Sequence, residues 1–162
     1  KNQDLFRYDT LSGGDADLKA EHINQYIRDA TGHDYTAKDF RTWAATWKTA
    51  ARFARVIDAD GDEWIDGLKE NLALKKLSTG GEIAISTPKQ RQKAMLAVID
   101  TVAGDLRNTR TVCRSSYIHP TLLADWENEK FAEKWEAAGK NRKIAGLDRD
   151  ESSTLYYLSY DA

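Results

Sequence analysis

Apolar residues recur along most of this chain at three- and four-residue intervals, the period of a helix that buries one face. From Asp17 to Ala30, Leu18, Ile23, Tyr26, Ile27 and Ala30 follow that spacing, and Thr31-Gly32 supplies the stop of a first helix. Thr36 followed by Asp39 resembles a capping box with aspartate in place of glutamate. It opens a second helix running to about Ile57, with Phe40, Trp43, Ala44, Trp47, Ala51 and Ala54 on one face. Phe40 and Trp43 are therefore expected in the core. Arg41, about 100° around the axis from Phe40, falls at the edge of that face. Gly61 to Leu77 reads as a third helix around Trp64, Leu68, Leu72 and Leu77, followed by the turn-prone Ser78-Thr79-Gly80-Gly81. Glu82 to Ser86 alternates as a short extended segment does.

Thr87-Pro88 places a capping threonine before a proline at the first helical position, and leads into Met95, Leu96, Val98, Ile99 and Val102. Gly104 is expected to close that helix. A short helix around Val112 to Ile118 should contain Tyr117 and end near His119, because proline disfavours helical geometry in the residue before it. Pro120 can start the next helix, through Leu122, Leu123, Trp126, Phe131 and Trp135 to Gly139. Asp148 with Glu151 caps a last one that reaches Tyr160. Neither an internal repeat nor a long linker interrupts the series. The expectation is one mainly α domain over residues 1–162, with little or no β structure.

Composition agrees: 162 residues suffice for a single buried core, and 31% charged residues with only two prolines favour a helical globule over a disordered chain. A formal charge of −2 gives no global attraction to nucleic acid, so any such contact must come from a local basic face. The single cysteine, Cys113, excludes an intramolecular disulfide and a cysteine-based zinc site, and is compatible with the cytoplasm. No run approaches the roughly 18 apolar residues of a membrane span. Lys1 opens the chain without a methionine, so the sequence is expected to be a fragment.

Two residues suggest chemistry. Tyrosine serves as a covalent nucleophile in some enzymes, but a phenol with a reference pKa of about 10 needs cationic or general-base help at neutral pH. Tyr117 sits in a basic, hydroxyl-rich stretch with Arg110, Arg114, Ser115 and Ser116. Arg41 is its natural complement, since a guanidinium fork binds two phosphate oxygens and keeps its charge against a pentacoordinate phosphorus transition state. Alone, each has a plainer explanation: packing for the tyrosine, a solvated or ion-paired surface for the arginine.

Taken with their flanks, these residues carry a resemblance. Asp4-Leu5-Phe6-Arg7-Tyr8, Ile23-Asn24-Gln25-Tyr26-Ile27-Arg28-Asp29-Ala30-Thr31-Gly32, Tyr35-Thr36-Ala37-Lys38-Asp39-Phe40-Arg41-Thr42-Trp43 and Asn108 to Pro120 run in the order of the C-terminal catalytic region of a type IB DNA topoisomerase, of the poxvirus-like bacterial branch. The chain resembles that family over most of its length, although Ala59 to Thr87 is longer than usual and carries no motif. The resemblance implies the helical scaffold that this family shares with tyrosine recombinases. It also implies that Tyr117 attacks a DNA phosphodiester, forms a 3′-phosphotyrosyl bond and frees a 5′-hydroxyl, so that the duplex rotates before resealing. Neither ATP, cofactor nor catalytic metal is expected. Arg41 would hold the non-bridging oxygens, and Asn108, where many relatives carry histidine, would donate a hydrogen bond to one of them. Lys38, Arg110, Arg114 and His119 would touch flanking phosphates. The partner is double-stranded DNA, with no membrane, and the protein is expected to be a monomer at the nucleoid.

The family also uses an earlier arginine and a general-acid lysine on a β-hairpin. No residue here matches them, so both are expected upstream of Lys1, and the isolated 162 residues are expected to be folded but nearly inactive. Two rivals stay open: a tyrosine recombinase or integrase, which usually places histidine where Lys38 stands, and a noncatalytic helical module for DNA or protein binding. Asp58-Ala59-Asp60-Gly61-Asp62-Glu63 begins like a calcium loop but has Glu63 at the glycine position and Lys69 at the bidentate position. His22, His33 and His119 are too dispersed for a ligand set, so no metal is assigned.

Overall fold

The computed structural model describes residues 7–58, 78–79, 82–83 and 85–160. These form β1 (Arg7–Asp9), β2 (Asp15–Asp17), α1 (Ala20–Thr31), α2 (Ala37–Asp58), β3 (Ser78–Thr79), β4 (Glu82–Ile83), α3 (Pro88–Asp105), α4 (Arg110–Ser116), α5 (Pro120–Glu127), α6 (Phe131–Gly139) and α7 (Arg149–Leu158). The mainly α expectation holds, with β structure among the described residues confined to the antiparallel pairs β1–β2 and β3–β4. The expected helix over Gly61 to Leu77, and most of the acidic stretch before it, lie outside the described residues.

Two compact units divide at Phe40 and Arg41. In the first, Arg7 pairs with Asp15 and Asp17 across the β1–β2 register. Asp17 is therefore a strand residue, and α1 begins three residues later than its apolar spacing suggests. Gly32, at φ 69°, ends α1 as expected by turning its N–H back to Arg28 O at 2.8 Å. None of the α1 residues is buried, so the face of Ile23 and Tyr26 is amphipathic without being core. The Asp39 carboxylate accepts the Thr36 N–H at 2.8 Å and its hydroxyl at 2.7 Å, which secures the start of α2.

The second unit is built around the rest of α2. Phe40 is 54% exposed, Trp43 and Trp47 are half-buried, and most residues from Ala45 to Val56 are buried, spread over much of the circumference. The expected core placement of Phe40 and Trp43 is thus corrected. The small side chains of Ala45, Ala50 and Ala54 let neighbouring helices close in on several sides, so burial is not confined to one stripe. Phe53 stacks on Trp126 of α5 at 4.2 Å between ring centroids and meets Phe131 of α6 edge-on at 5.4 Å, while Phe131 lies 5.3 Å from Tyr157 of α7. The Tyr157 hydroxyl donates to Asp125 at 2.6 Å, and Lys134 reaches the same carboxylate at 3.1 Å, so α5, α6 and α7 also share one polar tie.

Local signals at two helix starts act as expected. Thr87 and Gln90 form a reciprocal box ahead of Pro88, and Asp148 and Glu151 form another, with bonds of 2.7 and 2.9 Å. The single helix expected from Pro120 to Gly139 is instead two. Glu129 adopts φ 62°, Lys130 N–H returns to Asp125 O at 2.8 Å, and the Glu129 carboxylate is drawn to Arg91 at 2.6 Å. The cation on α3 supplies the reason for a break where no glycine or proline stands.

α3 runs past Gly104 to Asp105, and the chain reverses at Arg107 with φ 53°, closed by Asn108 N–H to Ala103 O at 2.8 Å. Helix α2 clasps this end: Lys48 Nζ and Arg52 Nη2 bond one oxygen of Asp105 at 2.8 and 2.6 Å, and Arg52 Nη1 donates to Thr101 at 2.9 Å. Burial pulls the Arg52 guanidinium below its ordinary pKa, and Asp105 works against that. Burial by itself would raise the Asp105 carboxyl, but the hydrogen bonds and charges of Lys48 and Arg52 together leave it below the usual carboxylate range.

Two consequences are measurable by chemical denaturation. Phe53→Ala should destabilise the protein by about 3–5 kcal/mol, because its two aromatic neighbours, Trp126 and Phe131, cannot collapse into the space. Asp105→Asn should cost about 1–3 kcal/mol by taking a carboxylate away from buried Arg52, the one-third exposure of Asp105 keeping it from the top of the range. Since the folded pKa of Asp105 is depressed, its contribution is complete above the unfolded value of about 3.9 and disappears as pH falls through the folded value. The asparagine variant should therefore show a shallower loss of stability below pH ~4 than the parent.

Candidate active site

Arg41 and Tyr117 come from distant parts of the sequence and meet in the second unit. Arg41 is half-buried on α2; its Nη2 donates to Leu106 O at 2.8 Å, and its Cζ stands 5.3 Å from the centroid of the Tyr117 ring. Tyr117, also half-buried, is the residue at which α4 stops, with φ −128° and ψ −31°. The expectation that it lies inside that helix is corrected: α4 ends at Ser116, and the tyrosine belongs to the corner that follows.

The corner has a local cause at each end. Thr109 caps α4 by accepting the Val112 N–H at 3.3 Å. At the other end the Cys113 carbonyl takes the N–H groups of both Tyr117 and Ile118 at 3.2 Å, so the ladder cannot advance. Ile118 is buried, and His119 is held extended at φ −62° and ψ 126° before Pro120. Pro120 then occupies the first position of α5.

Sequence reasoning missed Thr46. This buried α2 residue donates its hydroxyl to the Tyr117 carbonyl at 3.2 Å and accepts the His119 N–H at 3.2 Å, tying the corner to the helix of Arg41. The available signal was a threonine five residues after Arg41 among alanines, which reads as filler until a partner is seen.

Asn108 follows the reversal at Arg107, two residues beyond the carbonyl that Arg41 grips, and its side-chain amide nitrogen is buried with no hydrogen-bond partner among the described residues. The cations expected near the nucleophile are already engaged. Arg110 makes a two-pronged pair with Asp100, with its Nε at 2.6 Å, and Arg114 lies 3.7 Å from Glu127 on the surface. His119 and Lys38 are exposed, the latter in the first turn of α2 and within the first compact unit. Behind the corner, burial pushes the Cys113 thiol up, while Arg41 and Arg52 pull it the other way. The positive potential of two α2 arginines thus reaches the interior side of the tyrosine turn.

Residues 1–144 match the family model described as Eukaryotic DNA topoisomerase I, catalytic core. Comparison with curated proteins gives no significant match. A family match of this extent, running through the α2 arginine, the Asn108 loop and the tyrosine corner alike, makes the chain a member of the DNA topoisomerase I catalytic-core family.

Proposed function

We propose that the chain is the C-terminal catalytic region of a type IB topoisomerase, of the poxvirus-like bacterial branch, and that Tyr117 is its nucleophile. The phenol gives up its proton to solvent as its oxygen attacks a DNA phosphorus, the bond from phosphorus to the 5′-oxygen breaks as the 3′-phosphotyrosyl ester forms, and the 5′-oxygen takes a proton from the upstream lysine and departs as a hydroxyl. Rotation of the freed duplex relaxes supercoils, and attack of the 5′-hydroxyl on the phosphotyrosyl ester restores the strand and the phenol. The ester conserves the energy of the broken bond, so the cycle is ATP-independent. The observation that carries this reading is the Arg41 guanidinium over the Tyr117 ring.

Arg41 has two roles in the scheme. Its charge favours the phenolate at the moment of attack, and its planar fork neutralises the non-bridging oxygens as phosphorus becomes pentacoordinate. To do so it exchanges the Leu106 carbonyl for phosphate. The amide nitrogen of Asn108 is a buried donor without a partner among the described residues, and a hydrogen bond to a phosphate oxygen satisfies it. Lys38, Arg110, Arg114 and His119 contact flanking phosphates, Arg110 by giving up Asp100. A second arginine and the lysine that protonates the leaving 5′-oxygen come from upstream sequence. The substrate is duplex DNA at the nucleoid, engaged by a monomer.

Lys38, three residues before Arg41 where recombinases usually carry histidine, favours this reading over strand exchange. In the full-length protein, Tyr117→Phe should abolish covalent DNA adducts on denaturing gels while leaving filter binding intact; adducts that persist would remove the nucleophile from the scheme. Arg41→Ala should slow single-turnover cleavage by about 10²–10³-fold. The isolated 162 residues should fail to relax supercoiled plasmid, and rapid relaxation by them would overturn the need for upstream groups.

A further inference from the structure

Thr46 is 3% exposed and stands five residues after Arg41 on α2. A hydroxyl offers one proton and two lone pairs, and this one uses both functions on a single piece of backbone, the carbonyl of Tyr117 and the N–H of His119, each at 3.2 Å. Among the described residues neither group has another hydrogen-bond partner. Both are of the kind that regular structure leaves over: a carbonyl beyond the end of α4, and an N–H just before α5 begins. Among the described residues every other hydrogen bond of the corner backbone is local, as in the bonds to the Cys113 carbonyl of α4 itself. The Thr46 hydroxyl therefore relates the tyrosine backbone to the helix that bears the arginine.

We propose that Thr46 is a positioning residue for the tyrosine nucleophile. Its hydroxyl fixes the height and tilt of the Tyr117–His119 corner against α2, so that phenol oxygen and guanidinium address the same phosphorus. This rests on the reading of Tyr117 as nucleophile, and goes beyond it by assigning catalytic rate to a side chain that touches no DNA. A hydrogen bond to the backbone on either side of a reacting residue controls its placement, and a misplacement of about 1 Å costs on the order of 10²-fold in rate.

The test compares Thr46→Val, which keeps the shape and removes the hydroxyl, with Thr46→Ser, which keeps the hydroxyl and removes the methyl. In the full-length protein the valine variant should form covalent adduct about 10- to 100-fold more slowly in single turnover, with DNA affinity unchanged. The serine variant should recover most of the rate. A valine variant as fast as the parent overturns the proposal, and so does a serine variant as slow as valine, which would make methyl packing the cause. If the valine variant does not fold, Thr46→Ala takes its place; serine no faster than alanine overturns the proposal, as does failure of both valine and alanine to fold while serine folds normally. The two readings fail differently: adducts that survive Tyr117→Phe sink the nucleophile assignment and this inference with it, whereas a fast Thr46→Val beside a dead Tyr117→Phe sinks this inference alone.

Discussion

Between Ala45 and Val56, α2 is buried on most of its sides, so the polar groups it carries there turn to partners inside the protein. That constraint organises the second unit. Thr49 turns its hydroxyl to the Ala45 carbonyl at 2.7 Å, Arg52 reaches Thr101 and Asp105 on α3, and Thr46 reaches the turn after α4. Phe53 supplies contacts to α5 and α6, and Arg55 pairs with Asp150 of α7 at 2.8 Å. One helix therefore reaches α3, α5, α6, α7 and the turn that ends α4, and the site is assembled on the axle of its own unit rather than on a peripheral loop.

A consequence is that the cationic side chains near Tyr117 are occupied in the free protein. Arg41 holds Leu106 and the tyrosine ring, Arg110 holds Asp100, and Lys48 and Arg52 share Asp105. These pairs are not equivalent. Arg52 is buried and structural, whereas the surface Arg110 pair is worth little in water. Arg41 lies between: its partner is a neutral carbonyl, which holds a guanidinium less strongly than an anion does.

Signals confined to a few neighbouring residues are legible in the sequence alone. Thr87-Pro88 with Gln90, Asp148 with Glu151, Gly32 and Pro120 all mark the boundaries they suggest, because a cap or a ring constraint needs no distant partner. The phase of α2 is not legible in that way, since Phe40 and Trp43 continue the apolar spacing while the buried stretch surrounds Thr46, Thr49 and Arg52, and the partners of Thr46 and Arg52 lie far along the chain. The break at Glu129 likewise depends on Arg91. For the site, residue type and flanking sequence suggest pairing Arg41 with Tyr117, and the two side chains do lie together. What ties their backbones is hidden, because a threonine hydroxyl has no sequence signature.

Cys113 holds the corner by its carbonyl and keeps its side chain wholly out of solvent. It is also the only thiol in the chain. Alkylation by a water-borne reagent is thus confined to moments when the segment beneath the tyrosine detaches from the core, and its rate counts those local excursions. The protein carries, next to Tyr117, a built-in stopwatch for the loosening of that corner.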